Sequence, residues 1–212
     1  MQSNIAEFVG CLFLTLALGL TGDPLASGLV IIGIITVGRL FSHAHFNPAV
    51  TLAFWSAGRL SSRRLCSYVV SQTAGALGGC LLILAISGVS FRIIPTAAAS
   101  PFQYSGIELI FGFLLSLLYL TTFDTSRASS VQIGSITIGI TYTGILLISS
   151  TASGGIANPA VSLGAAVTDL FNHGNSWLYL AAYMAAPATG GMAAGLIFTR
   201  RPLTDPAWPE EE

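Results

Sequence analysis

The phrase Asn-Pro-Ala-Val occurs twice, as Asn47-Pro48-Ala49-Val50 and as Asn158-Pro159-Ala160-Val161, each time in a segment too short and too polar to cross a membrane alone. At average residue usage, two independent Asn-Pro-Ala triplets in a chain of this size arise by chance in fewer than about one sequence in a thousand. The agreement continues past the triplet, because a hydroxyl follows each Val, as Thr51 and Ser162. Any fold proposed for the chain must therefore make two short segments equivalent.

Composition places these segments in lipid. Charged residues make up 8% of the chain and hydrophobic residues 53%, with a mean hydropathy of +0.76. That is too little charge to solvate a globular surface. Apolar runs matched to a hydrocarbon core of about 30 Å fall at residues 4–20, 25–41, 65–89, 106–123, 131–149 and 177–198. An even number of spans puts both termini on one side. No cleaved signal peptide is expected, since the first residues lack a basic region and Glu7 lies inside the first run.

All the basic residues are Arg. With the N-terminus inside, Arg39, Arg59, Arg63, Arg64, Arg127, Arg200 and Arg201 are cytoplasmic and Arg92 alone is external, so the positive-inside rule puts both termini in the cytoplasm of a multi-pass cell-membrane protein. The tail 201–212, rich in Pro and acid, is expected to be disordered. A formal net charge of −1 gives no nucleic-acid role. Cys11, Cys66 and Cys80 fall in apolar runs and suggest neither disulfides nor a metal cluster. No Ser/His/Asp set or phosphate-binding Gly loop stands out, so an enzyme is not expected, nor a cofactor.

The repeat extends beyond the triplets. Glu7 opens the first span and Glu108 the fourth, and each is followed two spans later by an Asn-Pro-Ala segment. Three spans per half is an odd number, so the second copy enters from the opposite face. The halves are residues 1–89 and 102–198 of one channel domain, 1–200, joined by an external linker. Within each triplet, Pro is tolerated at the first helical position and Asn before it is a favoured N-cap. Each box therefore starts a helix, at residues 49–57 and 160–170, too short to span. The loops before them, 42–46 and 150–157, must be buried in protein or line a cavity, because lipid-exposed loops are excluded at membrane depth. Two such half-helices meeting head to head aim their positive ends and the Asn47 and Asn158 amides at one lumen, which offers donors to a polar solute and opposes cations.

Glu7-Phe8-Val9-Gly10, the stretch Ser42 to Thr51, Gln72 with Gly75, Ser153-Gly154 before the second triplet, and Pro187 with Gly190 together resemble the major intrinsic protein family, the aquaporins and aquaglyceroporins, over about residues 4–198. The resemblance implies an all-α membrane fold of six transmembrane helices plus two re-entrant half-helices in an inverted repeat. It also implies a homotetramer with one pore per subunit, surrounded by membrane lipid and passing water or small neutral solutes. Glu7 and Glu108 would brace the non-helical loops rather than relay protons. His45 matches the family's loop histidine, and His43, in place of a usual Gly, reaches toward the cytoplasmic half of the pore as a packed or solvated imidazole rather than a pH gate.

The chain departs from the pattern at one position. The family usually carries Arg directly after the second Asn-Pro-Ala, and here that residue is Val161. Counting from the two Asn residues puts the other constriction positions at Ser27, Leu146 and Gly155. Such a filter is expected to be wide and uncharged, relaxing selection toward glycerol-like polyols or hydroxylated metalloids. Val161 with Thr168-Asp169 resembles a bacterial aquaglyceroporin-like subgroup associated with arsenic detoxification. The alternatives are an ion-conducting or gated channel made possible by the missing Arg, and a structural protein whose pore is occluded by Leu146 and Val161. Arg39 reads as an orientation anchor, and Gly75/Gly79 and Gly191/Gly195 as close contacts between the halves.

Overall fold

The structure, a computed structural model, describes residues 1–123 and 130–199. Arg127, Arg200, Arg201 and the tail lie outside the described residues. Eight α-helices follow in order: α1 Gln2–Thr21, α2 Pro24–Gly38, α3 Pro48–Ser56, α4 Ser62–Ser87, α5 Pro101–Phe123, α6 Val131–Ser149, α7 Pro159–Phe171 and α8 Leu180–Phe198, the last entered through a single 3-10 turn at Ser176–Tyr179. No strand occurs among the described residues.

Local chemistry sets the helix ends. Asp23 caps α2, accepting from Leu25 N, with Pro24 in the first position. Ser61 caps α4 and Ser130 caps α6. Glycines in the left-handed region stop α1 at Gly22 and α4 at Gly88, the conformation that terminates helices at least cost without a Cβ.

Five helix segments are long and apolar enough to cross a membrane: α1, α4, α5, α6, and α8 with its leading turn. The remaining expected span, residues 25–41, is helical only to Gly38. Fifteen residues reach about 22 Å, short of the hydrocarbon thickness. The segment continues as a turn, with Phe41 N and Ser42 N both donating to Gly38 O, which redirects the chain into the first loop. Helices α3 and α7, with 9 and 13 residues, reach only part of the way. Following the chain, α3 ends on the face where α1 begins, hereafter the first face, and α7 ends on the second face with the linker 88–100.

Small residues decide how closely helices approach. Gly75 of α4 lies against the Phe8 carbonyl of α1, and Gly79 against Thr15 and the Leu12 carbonyl. Gly190 of α8 lies against the Leu109 carbonyl of α5, and Gly112 of α5 against Pro187. These contacts stay within one half. The halves are joined elsewhere: Gly191 meets the Ala49 carbonyl and Gly195 the Ala53 carbonyl on α3, Gly164 of α7 meets Ala76 on α4, and Gly28 of α2 meets Gly139 of α6. The expected role thus holds for Gly191/Gly195, whereas Gly75/Gly79 seals α1 to α4. Backbone carbonyls leave no room for a Cβ to be accommodated by rotation.

Gly191→Val should therefore push α8 off α3 and cost about 2 kcal/mol or more through overpacking, whereas Gly33→Ala, where nothing lies within 4 Å, should leave stability unchanged or slightly raised. Thermal unfolding midpoints of the two variants in detergent micelles check the contrast.

Candidate functional site

Two loops dive to the centre of the protein and meet there. Asn47 and Asn158 have extended backbones and cap α3 and α7: Asn47 Oδ1 accepts from Ala49 N at 2.9 Å, and Asn158 Oδ1 from Ala160 N at 3.1 Å. Each amide nitrogen reaches across to the other loop. Asn47 Nδ2 donates to the Ala157 carbonyl at 2.8 Å and Asn158 Nδ2 to the Phe46 carbonyl at 2.9 Å. One amide hydrogen per Asn is thereby committed to holding the halves together. The residues supplying those carbonyls, Phe46 and Ala157, are both left-handed at φ 51° and 50°, which turns their C=O groups toward the junction at a cost of the order of 1 kcal/mol each.

Buried carboxylates hold both loops. Glu7 Oε1 accepts from His45 N at 3.0 Å and Ser42 Oγ at 2.9 Å, and Oε2 accepts from Phe46 N at 2.8 Å and Gln72 Nε2 at 2.9 Å. Glu108 accepts from Ser153 Oγ at 2.8 Å and Ala157 N at 2.9 Å. Both carboxylates are fully buried. Their donors are the groups a loop at membrane depth would otherwise leave unsatisfied. Ser42 and Ser153 hold equivalent places, as do Phe46 and Ala157. Tyr142 and Tyr183 brace the second loop further, donating to the Ile156 and Ser153 carbonyls.

The Glu-x-x-Gly motif gains a physical reading. Gly10, almost one turn after Glu7, together with Gly38 clears the space filled by the Phe46 ring. Cys11 lies beside it, and its thiol donates to the same Phe46 carbonyl that receives Asn158, at 3.0 Å.

At the expected constriction positions, Val161 is 0%, Ser27 1% and Leu146 6% exposed. The Ser27 hydroxyl donates to Asp23 O within its own helix at 3.1 Å. None of the three side chains carries a charge. A Cβ at Gly155 would run into the Glu108 carboxylate, so glycine at this position makes room for the brace. His43 packs against Tyr68 and Phe54, with ring centroids 6.0 and 6.3 Å away. His45 is buried, with Nδ1 3.2 Å from Thr51 Oγ1, and Thr51 in turn accepts from Gln72 Nε2 at 2.8 Å.

The sequence reading used Asp169 only for a resemblance and missed its structural role. Asp169, near the end of α7, accepts from Ser90 Oγ at 2.7 Å, Ser176 Oγ at 2.7 Å and Ser176 N at 3.0 Å, and pairs with Arg92 at 3.4 Å. It ties the linker and the start of α8 to the end of the half-helix. An acid preceding a Gly/Asn-rich turn was the available signal, but its partners lie as far as 79 positions away.

No group of three or more metal-ligating side chains occurs among the described residues. The family model described as "Major intrinsic protein" matches residues 13–198. The chain belongs to the major intrinsic protein family. A probable aquaporin AqpM of Archaeoglobus fulgidus is 36% identical over 86% of this chain and 78% of its own length. Aquaporin AqpM of Methanothermobacter marburgensis is 30% identical over 85% and 78%, and aquaporin NIP1-2 of Oryza sativa subsp. japonica 31% identical over 84% and 61%. Among solved structures, an aquaglyceroporin from Plasmodium falciparum superposes with a TM-score of 0.83 over 94% of this chain and 95% of its own, at 22% identity, a likeness of fold. As a member of this family the protein is a multi-pass membrane channel for water and small solutes and not an enzyme.

The Glu7 site offers four donors and no acceptor, so Glu7→Gln presents an NH2 group where only acceptors fit. A loss of the order of 2–4 kcal/mol is expected. Gly155→Ala should destabilise for the mirrored reason, by displacing Glu108. Thermal midpoints in micelles measure both, with Gly144→Ala, which has nothing within 4 Å, as the neutral control.

Proposed function

We propose that residues 1–200 form one channel domain that passes water and uncharged solutes of glycerol size through a lumen running past the paired Asn-Pro-Ala boxes. The observation that carries this is the crossed pair of hydrogen bonds, Asn47 Nδ2 to Ala157 O and Asn158 Nδ2 to Phe46 O. It sets two helix N-termini face to face and leaves each amide a second hydrogen for a permeant. Helix N-termini carry partial positive charge, so the midpoint disfavours cations while donating to hydroxyl oxygens.

Ser27, Leu146, Gly155 and Val161 act as the filter in this reading. With Val161 in place of Arg, a permeant meets neither five fixed donors nor a permanent charge there. The filter then selects by shape and by the cost of stripping hydrogen bonds against an apolar wall, which polyols and neutral arsenite bear more easily than ions. Termini in the cytoplasm of a cell membrane follow from the Arg distribution. Membership of the family supports a homotetramer, with the apolar outer faces of the helices against lipid or neighbouring subunits.

Purified protein in liposomes tests this with a permeability series over water, glycerol, urea and arsenite. Glycerol and arsenite are expected to pass. Val161→Arg should lower large-solute permeability more than water permeability, shifting their ratio about tenfold. Brisk water flux with rejection of all three larger solutes overturns the solute class, and an unchanged ratio in Val161→Arg removes Val161 from the filter.

A further inference from the structure

The linker between α4 and α5 forms no helix, and specific contacts fix its course instead. Phe91 packs against the core and Ile93 is buried. Ser90 Oγ donates to Asp169 Oδ1 at 2.7 Å, while Arg92 approaches the same oxygen at 3.4 Å through Nε and donates to Asn175 Oδ1 at 2.7 Å through Nη2. A little further along, the linker lies on the second loop. The Ile94 carbonyl occupies the place a Cβ of Gly154 would take, and Thr96 N donates to Ala152 O at 2.9 Å.

Asp169 is a built anchor for this strap. Its side chain is 1% exposed against 43% for Arg92, so the exposed ion pair contributes little and the buried bond from Ser90 is the main tie. Ser176 supplies two more donors, its N at 3.0 Å and its Oγ at 2.7 Å. A Cβ on Gly174 would collide with the Asp169 carboxylate, so Gly174 seats Asp169 as Gly155 seats Glu108. Val161 and Asp169 belong to the same half-helix, and Gly155 follows Gly154 in the loop under the strap. The linker therefore touches the helix that carries Val161 and the loop that carries Gly155.

We infer that Asp169 is a positioning residue for the filter: it anchors the linker to the end of α7, keeps it strapped over the second loop, and so fixes Gly155 relative to Val161. This rests on the filter reading above. With Val161 and Gly155 in place of bulkier groups, the width between these two positions is set by how backbone segments are spaced. Gly154 is left-handed at φ 59°, and a Gly-Gly stretch has little stiffness of its own. Glu108 holds the loop through Ser153 and Ala157, while Ala152 and Gly154 take their place from the linker. A released strap lets this part of the loop sample wider arrangements, which admits larger solutes.

The test compares purified wild type, Asp169→Asn, Ser90→Ala and Ser90→Thr on two readings. Hydrogen exchange at the Thr96 amide reports whether the strap lies on the loop, and the ratio of xylitol to glycerol permeability in liposomes reports filter width. Asp169→Asn, which keeps the shape but turns one acceptor into a donor, should speed that exchange about tenfold and raise the ratio about fivefold. Ser90→Ala should shift both in the same direction by less, and Ser90→Thr, which keeps the hydroxyl, should match the wild type. Unchanged exchange in Asp169→Asn overturns the anchoring, and faster exchange with an unchanged ratio overturns the positioning role. If Asp169→Asn does not reconstitute, the Ser90 variants decide, and equal ratios in Ser90→Ala and Ser90→Thr overturn the inference. A wild type that passes water but not glycerol counts against the solute class alone; Asp169→Asn should then gain glycerol flux, and no gain overturns the inference. A wild type that passes neither is the failure of the channel reading, seen before any variant is compared, and it takes this inference with it.

Discussion

Two carboxylates carry the weight of this architecture. A loop at membrane depth has no water to satisfy its N–H groups, and each half solves this by sending a Glu from its opening helix into its own loop. Glu7 gathers four donors, and Glu108 the second loop's Ser153 and Ala157. Everything at the centre depends on them. Without fixed loops, Phe46 and Ala157 would not hold left-handed backbones, their carbonyls would not face the opposite Asn, and the half-helices would not meet. The second layer of glycines serves the same end: Gly10 and Gly38 seat the Phe46 ring, and Gly155 leaves room for Glu108.

The helix inventory and both half-helices were legible in the sequence because each has a local signal, and the loop braces were implied by the family resemblance. Asn-Pro announces a cap, an acid inside an apolar run announces a buried partner, and Gly spacing announces close contact. The end of α2 at Gly38 was not legible, since Arg39 to Phe41 continues an apolar run and only the demands of the loop bend it away. The direction of Arg39, whose Nη1 donates to the His43 carbonyl and whose Cζ sits 4.4 Å from the Phe123 ring centroid, was hidden for a related reason: Phe123 lies in the other half, and a long side chain's direction is set by such distant partners. The room that Gly155 leaves for Glu108 was not legible, because a missing side chain looks the same in sequence whether it empties a lumen or admits a neighbour. The bracing role of Asp169 went unread because its partners are spread over the linker and the turn before α8.

The two halves are alike in plan and unlike in detail. Phe46 fills space with a ring where Ala157 has a methyl, and the Phe46 carbonyl takes a second donor from Cys11. The first loop is packed with aromatics and histidines under Arg39, while the second is braced by Tyr142 and Tyr183 and bordered by the linker, whose Thr96 N donates to Ala152 O. A chain with a duplicated plan thus presents two chemically different mouths, one charged and aromatic, the other built on a Ser, Asp and Arg network.

The crossed Asn bonds also bear on how the chain is made. Asn47 finds its acceptor 110 residues later and Phe46 its donor 112 residues later. At a synthesis rate of roughly 5–20 residues per second, the first loop therefore waits on the order of ten seconds for the groups that complete it. Through that interval the loop's amides have acceptors only from their own half, with Glu7 taking His45 N and Phe46 N, Ser42 Oγ taking Ala44 N and the Tyr68 hydroxyl taking His43 N. The opening helix and its acid act as an internal chaperone for the half-built channel, and the ribosome must deliver the second loop before the first can take its final form.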